Sequence, residues 1–109
     1  MKQPCVYILV DHPHGTFYVG VASNLQHRMA EHTQGLLEGF TKRYAIKMLV
    51  YYEMHHTMET AIKREKLLKR WNRAWKVRLI EQMNPDWRSL FDPATGEIAF
   101  GAADRGQPP

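Results

Sequence analysis

Residues 17–32, FYVGVASNLQHRMAEH, read as a strand that turns and enters a helix. Phe17, Tyr18, Val19 and Val21 suit an extended, half-buried chain. Asn24 is a good N-cap for the helix LQHRMAEHTQ, and Gly35 is placed to be its C′ residue. Inside that helix Arg28 and His32 stand four positions apart, hence on one stripe. Leu25 and Met29 mark the apolar side right beside them. A guanidinium and an imidazole therefore lie at the edge of a packing face.

Working back, PCVYILV (residues 4–10) is a second β-branched and aromatic run, separated from TFYVGV (16–21) by DHPHG. The pair reads as a β-hairpin. The expected register sets Val10 against Gly15 and Tyr7 directly opposite Tyr18. A slip of one residue would send the two tyrosines to opposite faces.

Working forward, GLLEGFTKRY (35–44) reads as a loop or short helical turn, and AIKMLVYYEM (45–54) as a central strand covered on both sides. Thr57 caps METAIKREKLLKRWNRAW, which continues into KVRLIEQM. A break is expected near Asn72–Arg73, and Asn84-Pro85 ends the helical run. The order ββαβα(α) predicts an α/β (α+β) fold, with a small three-stranded antiparallel or mixed sheet flanked by helices. DPATGEIAFGAADRGQPP is rich in Gly, Ala and Pro, so a domain over 1–91 and a loose tail over 92–109 are expected.

At 109 residues the chain is long enough for one real core, and 44% hydrophobic residues make it globular rather than disordered. No apolar run is as long as a membrane span, and MKQPCVYILVDHP lacks a signal-peptide pattern. The lone Cys5 excludes an internal disulfide and a Cys-rich zinc site, which fits a reducing cytoplasm. His12, His14, His55 and His56 lie in a turn or just before a helix cap, without a cysteine partner or an HExxH pattern, so zinc is not expected.

Net charge is 15 − 11 = +4 with His neutral. Eight cations but only one acid, Glu65, fall between Lys63 and Arg78. Such a run is either a solvated helix face or a track for a polyanion. Glu65 is the odd residue: at 100° per residue, Met58, Ala61, Ile62 and Leu68 lie within roughly 60° of it. A carboxylate on an apolar face needs a cation, a metal ion or strong donors, since burying it unpaired costs several kcal/mol. An ion pair with Arg28 or a nearby Lys would satisfy it, and so would a divalent metal. Two phenols, an Arg, a His and a carboxylate are components for phosphodiester cleavage.

These residues also carry a resemblance. Cys5-Val6-Tyr7 and Tyr18-Val19-Gly20, followed by NLQHRMAEH, YAIKMLVYYE, ETAIKREKLLKRW and NPDW, resemble the GIY-YIG endonuclease-domain family over about residues 4–90. The likeness is to small stand-alone members, related to the N-terminal nuclease domain of the bacterial repair excinuclease and to that of homing endonucleases. The triplets are short and common; their order and spacing are specific. By position the resemblance implies that Tyr7 and Tyr18 are the motif tyrosines, Gly20 the motif glycine, Arg28 the family arginine, and His32 a site the family fills with His or Tyr. Glu65 matches the metal-binding glutamate. Asn84, with Asn72 second, is the candidate for a late asparagine. Cys5 replaces the first motif glycine, and Val21 stands where some relatives carry Lys.

The implied function is a divalent-metal-dependent DNA endonuclease, structure-selective or weakly sequence-specific, acting in DNA repair, recombination or processing. One Mg²⁺ or Mn²⁺ on Glu65 is implied. Lys66, Lys69, Arg70 and Arg73 are the expected DNA contacts. RNA stays open as a substrate, and a protein partner is a candidate source of specificity. The expected setting is cytoplasmic, without a membrane, as a monomer or weak homodimer. The alternative is a nucleic-acid-binding module of the same fold with negligible catalysis.

Overall fold

The computed structural model describes residues 3–35, 39 and 45–99. Strands β1 (Cys5–Val10), β2 (Phe17–Ala22) and β3 (Met48–Met54) form one antiparallel sheet in the order β2-β1-β3. Helix α1 (Leu25–Thr33) follows β2, and α2 (Met58–Arg70) and α3 (Arg73–Met83) follow β3. A short hairpin, β4 (Phe91–Asp92) with β5 (Glu97–Ile98), closes the described chain. No helix among the described residues is long and apolar enough to cross a membrane.

The helix ends are set by local chemistry. The side chain of Asn24 accepts from the His27 amide at 3.1 Å, that of Thr57 from Thr60 at 3.1 Å, and that of Asn72 from Trp75 at 2.9 Å. Each satisfies an amide that the first helical turn leaves free. Asn72 therefore makes the expected break between α2 and α3. After α1, Gly35 takes φ +70°, the left-handed conformation that suits glycine at C′.

All six residues of β1 are buried, with alternate side chains feeding two cores. Cys5, Tyr7 and Leu9 pack with Leu25 and Met29 of α1, and with Leu49, Leu90 and Phe91. Val6, Ile8 and Val10 pack with Ala61 and Leu68 of α2, Ile80 of α3, and Trp87. Each large aliphatic buried in this way contributes roughly 1.5–3 kcal/mol. Thus α1 covers one face of the sheet, and α2 and α3 the other. The central strand is β1, whereas the sequence pattern assigned that place to β3. A covered edge strand is as apolar as a central one, so composition does not separate them.

The hairpin register also differs from expectation. Val10 pairs with Phe17 and Tyr7 with Gly20, a shift of two residues. The cause lies in the turn, where Asp11 Oδ1 accepts from the amides of His12 (2.9 Å) and Thr16 (2.8 Å) and closes a longer loop. A two-residue shift preserves the faces. Tyr7 and Tyr18 thus stay on one side as diagonal neighbours, with ring centroids 6.3 Å apart.

The segment from residue 92, read from composition as loose, is attached up to Ala99. Ile98 packs against the α1-side core, and the Ala99 amide donates to the Leu90 carbonyl at 2.7 Å. Residues 100–109, and most of the loop expected over 35–44, lie outside the described residues.

Candidate active site

β1 and β2 bring Tyr7 and Tyr18 to the face covered by α1, and one turn of α1 sets Arg28 and His32 above them. Tyr7 Oη and His32 Nε2 are 3.1 Å apart. The His32 ring stands edge-on to both phenols, with centroids 5.9 Å from each. Arg28 lies close enough to pull on the phenol of Tyr7, and its Nε pairs with Glu31 at 3.3 Å. Glu31 was not expected at the site. Its i,i+3 spacing from Arg28 was the available signal.

Gly20 makes this close packing feasible. A Cβ there would lie 2.5 Å from Tyr7 Cζ, 2.6 Å from its hydroxyl and 3.0 Å from Tyr18 Cε2. Only a residue without a side chain lets the Tyr7 ring lie over β2. Gly20→Ala is expected to cost about 1–3 kcal/mol, as overpacked cores do, and to push Tyr7 off His32. Urea unfolding checks the first effect and the NMR shift of His32 the second; a variant unchanged in both would contradict the close approach.

Electrostatics give the pair a definite protonation state. Burial pushes the Tyr7 phenol well above its ordinary range, Tyr18 adds to this, and Arg28 only partly offsets it. The positive charge of Arg28 favours the phenolate of Tyr7, but desolvation outweighs it. Burial also pushes His32 down to about 4, with Arg28 helping and Glu31 opposing. At neutral pH both groups are uncharged. His32 Nδ1 is buried and has no hydrogen-bond partner among the described residues, a costly state for a polar atom.

The His32 shift predicts a pH dependence of stability. Its proton affinity is lower folded than unfolded, so between about pH 6.5 and 4 the unfolded chain binds more protons. Stability from this residue is complete above about 6.5, falls as pH drops towards 4, and is then lost, by on the order of 3 kcal/mol. Other groups titrate in the same range, so the measurement is a difference. Wild type should lose stability relative to His32→Phe across that window; parallel urea midpoints would contradict it.

Glu65 lies on α2, the helix packed against β2 and β1 from the other face. Its side chain is only 14% exposed, and Lys69 Nζ stands 2.8 Å from its carboxylate. The ion-pair alternative thus has a specific partner, Lys69 rather than Arg28. The described residues contain no cluster of three or more His, Cys, Asp or Glu side chains able to hold a metal. One sheltered carboxylate does fit a hydrated Mg²⁺ or Mn²⁺ shared with a substrate phosphate, because Mg²⁺ keeps several waters and takes one or two carboxylates.

Asn84, Asn72 and Arg73 are engaged in holding the fold. Asn84 is buried and donates to the carbonyls of Val50 (3.1 Å) and Arg88 (2.8 Å), tying the end of α3 to β3. Asn72 is the cap already described. Arg73 donates to the carbonyls of His14 and Gly15 and lies 4.2 Å over the Phe17 ring, so it braces the β1–β2 turn. Lys66 and Arg70 are exposed on α2.

Comparison with known proteins identifies the family. Residues 3–78 match the GIY-YIG catalytic domain. The chain belongs to the GIY-YIG family. It is also 38% identical over 82 residues to the UPF0213 proteins of Staphylococcus aureus strains Mu3, Mu50 and N315, a match covering 75% of this chain and 99% of each relative. No solved structure matches. Membership in the GIY-YIG family implies a nuclease-type function. The match takes in β1, β2, α1, β3 and α2, and so the positions of the five candidate catalytic residues and of Gly20.

Proposed function

We propose that the protein is a divalent-metal-dependent DNA endonuclease, structure-selective or weakly sequence-specific, serving DNA repair, recombination or processing. The observation that carries this is the contact of Tyr7 with His32 at 3.1 Å, with Arg28 facing the same phenol. Tyr7 is wholly buried, whereas the Arg28 side chain is 36% exposed. A phosphate therefore meets Arg28 first. Drawing the guanidinium towards the phosphate opens the way for water to reach Tyr7.

The Tyr7 hydroxyl then takes the proton of the attacking water as it gives its own to His32 Nε2. The phenol acts as a relay, and the neutral imidazole as the final acceptor. Charge on a bound phosphate raises the proton affinity of His32 and offsets the effect of burial. Tyr18 orients the water, and Arg28 stabilises the charge that builds on the phosphate. Glu65, released by Lys69, would hold one Mg²⁺ or Mn²⁺. Such an ion supplies Lewis-acid stabilisation of the leaving 3′ oxygen, which corresponds to 5′-phosphate and 3′-hydroxyl products.

A second reading is a nucleic-acid binder of the same fold with negligible turnover. It draws on the closed resting state of Tyr7 and on the Glu65–Lys69 pair. One panel decides between them: single-stranded, flapped, branched and nicked DNAs, with and without Mg²⁺, and RNA counterparts. Metal-dependent cleavage of at least one DNA is expected. Binding without product would favour the second reading. Action in the cytoplasm as a monomer or weak homodimer, with specificity from DNA shape or a protein partner, belongs to the same proposal.

A further inference from the structure

The junction of α2 and α3 carries an aromatic cleft with no place in the mechanism above. Trp71, Trp75, Arg78, Leu79 and Gln82 line a hollow of about 250 Å³, smaller than the roughly 300–1,000 Å³ of drug-sized ligand sites. Trp75 is 49% exposed, a large apolar surface to leave in water. The two indoles meet edge to face at 5.7 Å. Trp71 is fixed from its other side: the Arg64 guanidinium lies 5.2 Å over its ring, while Arg64 Nε donates to both oxygens of Glu53 at 3.2 and 3.1 Å. None of the five lining residues is acidic. The flanking run from Lys63 to Arg78 is cationic, with Arg64 held by Glu53, Lys69 by Glu65 and Arg73 by the hairpin turn.

We infer that this cleft binds an unpaired base of single-stranded DNA, stacked on Trp75 and Trp71 with Arg78 at the adjoining phosphate. The inference rests on the DNA-nuclease reading and refines its substrate to DNA with an unpaired strand. A preset indole beside an exposed one suits any base face, and Arg78 in the lining suits the backbone. A protein partner would have to place strong acidity around an aromatic insert; a nucleotide carries both features in one unit. Trp71 packs with the core on the α2 side of the sheet, whereas Tyr7 lies in the core on the α1 side. The cleft is therefore separate from the Tyr7–His32 contact. An unpaired base has a free face to lay on the indoles, whereas the bases of a duplex are stacked on their neighbours.

The test is the affinity of the full chain for labelled oligo-dT and for a blunt duplex of equal length, in EDTA to prevent cleavage. Trp75→Ala should weaken oligo-dT binding by about 5- to 150-fold, the usual range for loss of one stacking partner. Duplex affinity should stay within a few-fold, and Trp75→Phe should recover most of the loss. If Trp75→Ala melts early, Arg78→Glu, which keeps both rings, should give the same selective loss. An equal effect on both DNAs, or on neither, overturns the inference. So does a clear preference for oligo-rU, or a Trp75→Ala effect confined to sedimentation, which would mark a contact between copies. Wild type that binds neither DNA overturns the nuclease reading as well; cleavage activity with an indifferent Trp75→Ala overturns this inference alone.

Discussion

Tyr7→Phe should lower the single-turnover cleavage rate on the order of 10²–10⁴-fold, the usual contribution of a positioned proton-transfer group. The substitution keeps the ring that packs with Leu9, Met29 and Leu49. It removes only the hydroxyl that meets His32 at 3.1 Å. Thermal stability should therefore change little, and DNA affinity should stay within a few-fold, because Tyr7 is wholly buried. The rate loss should not be recovered at high pH, since there is no phenol left to ionise. A rate near that of wild type would remove Tyr7 from the proton path and leave it as a packing residue.

Glu65→Gln should reduce cleavage by at least on the order of 10² at any Mg²⁺ concentration, because the amide keeps the shape but loses the anionic donor. Its pairing with Lys69 permits a second, independent reading. Lys69 is 52% exposed but Glu65 only 14%, so removing the cation should cost stability by leaving a sheltered carboxylate unpaired. Lys69→Met should then leave Glu65 free and lower the Mg²⁺ concentration needed for half-maximal cleavage. If Glu65 is only an ion-pair partner, Glu65→Gln will cut at the wild-type rate, and Lys69→Met will leave the Mg²⁺ dependence unchanged. Binding of Mn²⁺ can be followed by its paramagnetic relaxation in the same variants.

What the sequence made legible was local or periodic. Asn24, Thr57 and Asn72 act within three residues of themselves, so the caps and the break at Asn72 follow from residue type. Alternation along β1 and β2 put both tyrosines on one face, and a two-residue register error leaves that intact. The register itself depends on Asp11 closing the turn onto Thr16, a contact that alternation does not encode. The choice of β1 over β3 as central strand depends on which neighbours pair, and both runs are apolar. At the site, helical spacing placed Arg28 beside His32, but the contact of His32 with Tyr7 spans 25 residues and needed the fold. Charge patterning showed that the stretch from Lys63 to Arg78 is cationic. The i,i+4 spacing of Glu65 and Lys69 left their pairing open to reading, but patterning could not show that Arg73 is held by the hairpin turn. A partner that distant along the chain is set by tertiary approach.

The central claim is that Tyr7 and His32 act as one proton-transfer unit, and a double-mutant cycle tests it directly. Single-turnover cleavage of the best DNA in the panel would be measured for wild type, Tyr7→Phe, His32→Phe and the double variant. Groups that act in series are strongly non-additive. The relay predicts that each single variant loses most of the rate and that the double variant is hardly slower than the worse single one. Losses that multiply, or a His32→Phe variant as fast as wild type, would contradict it.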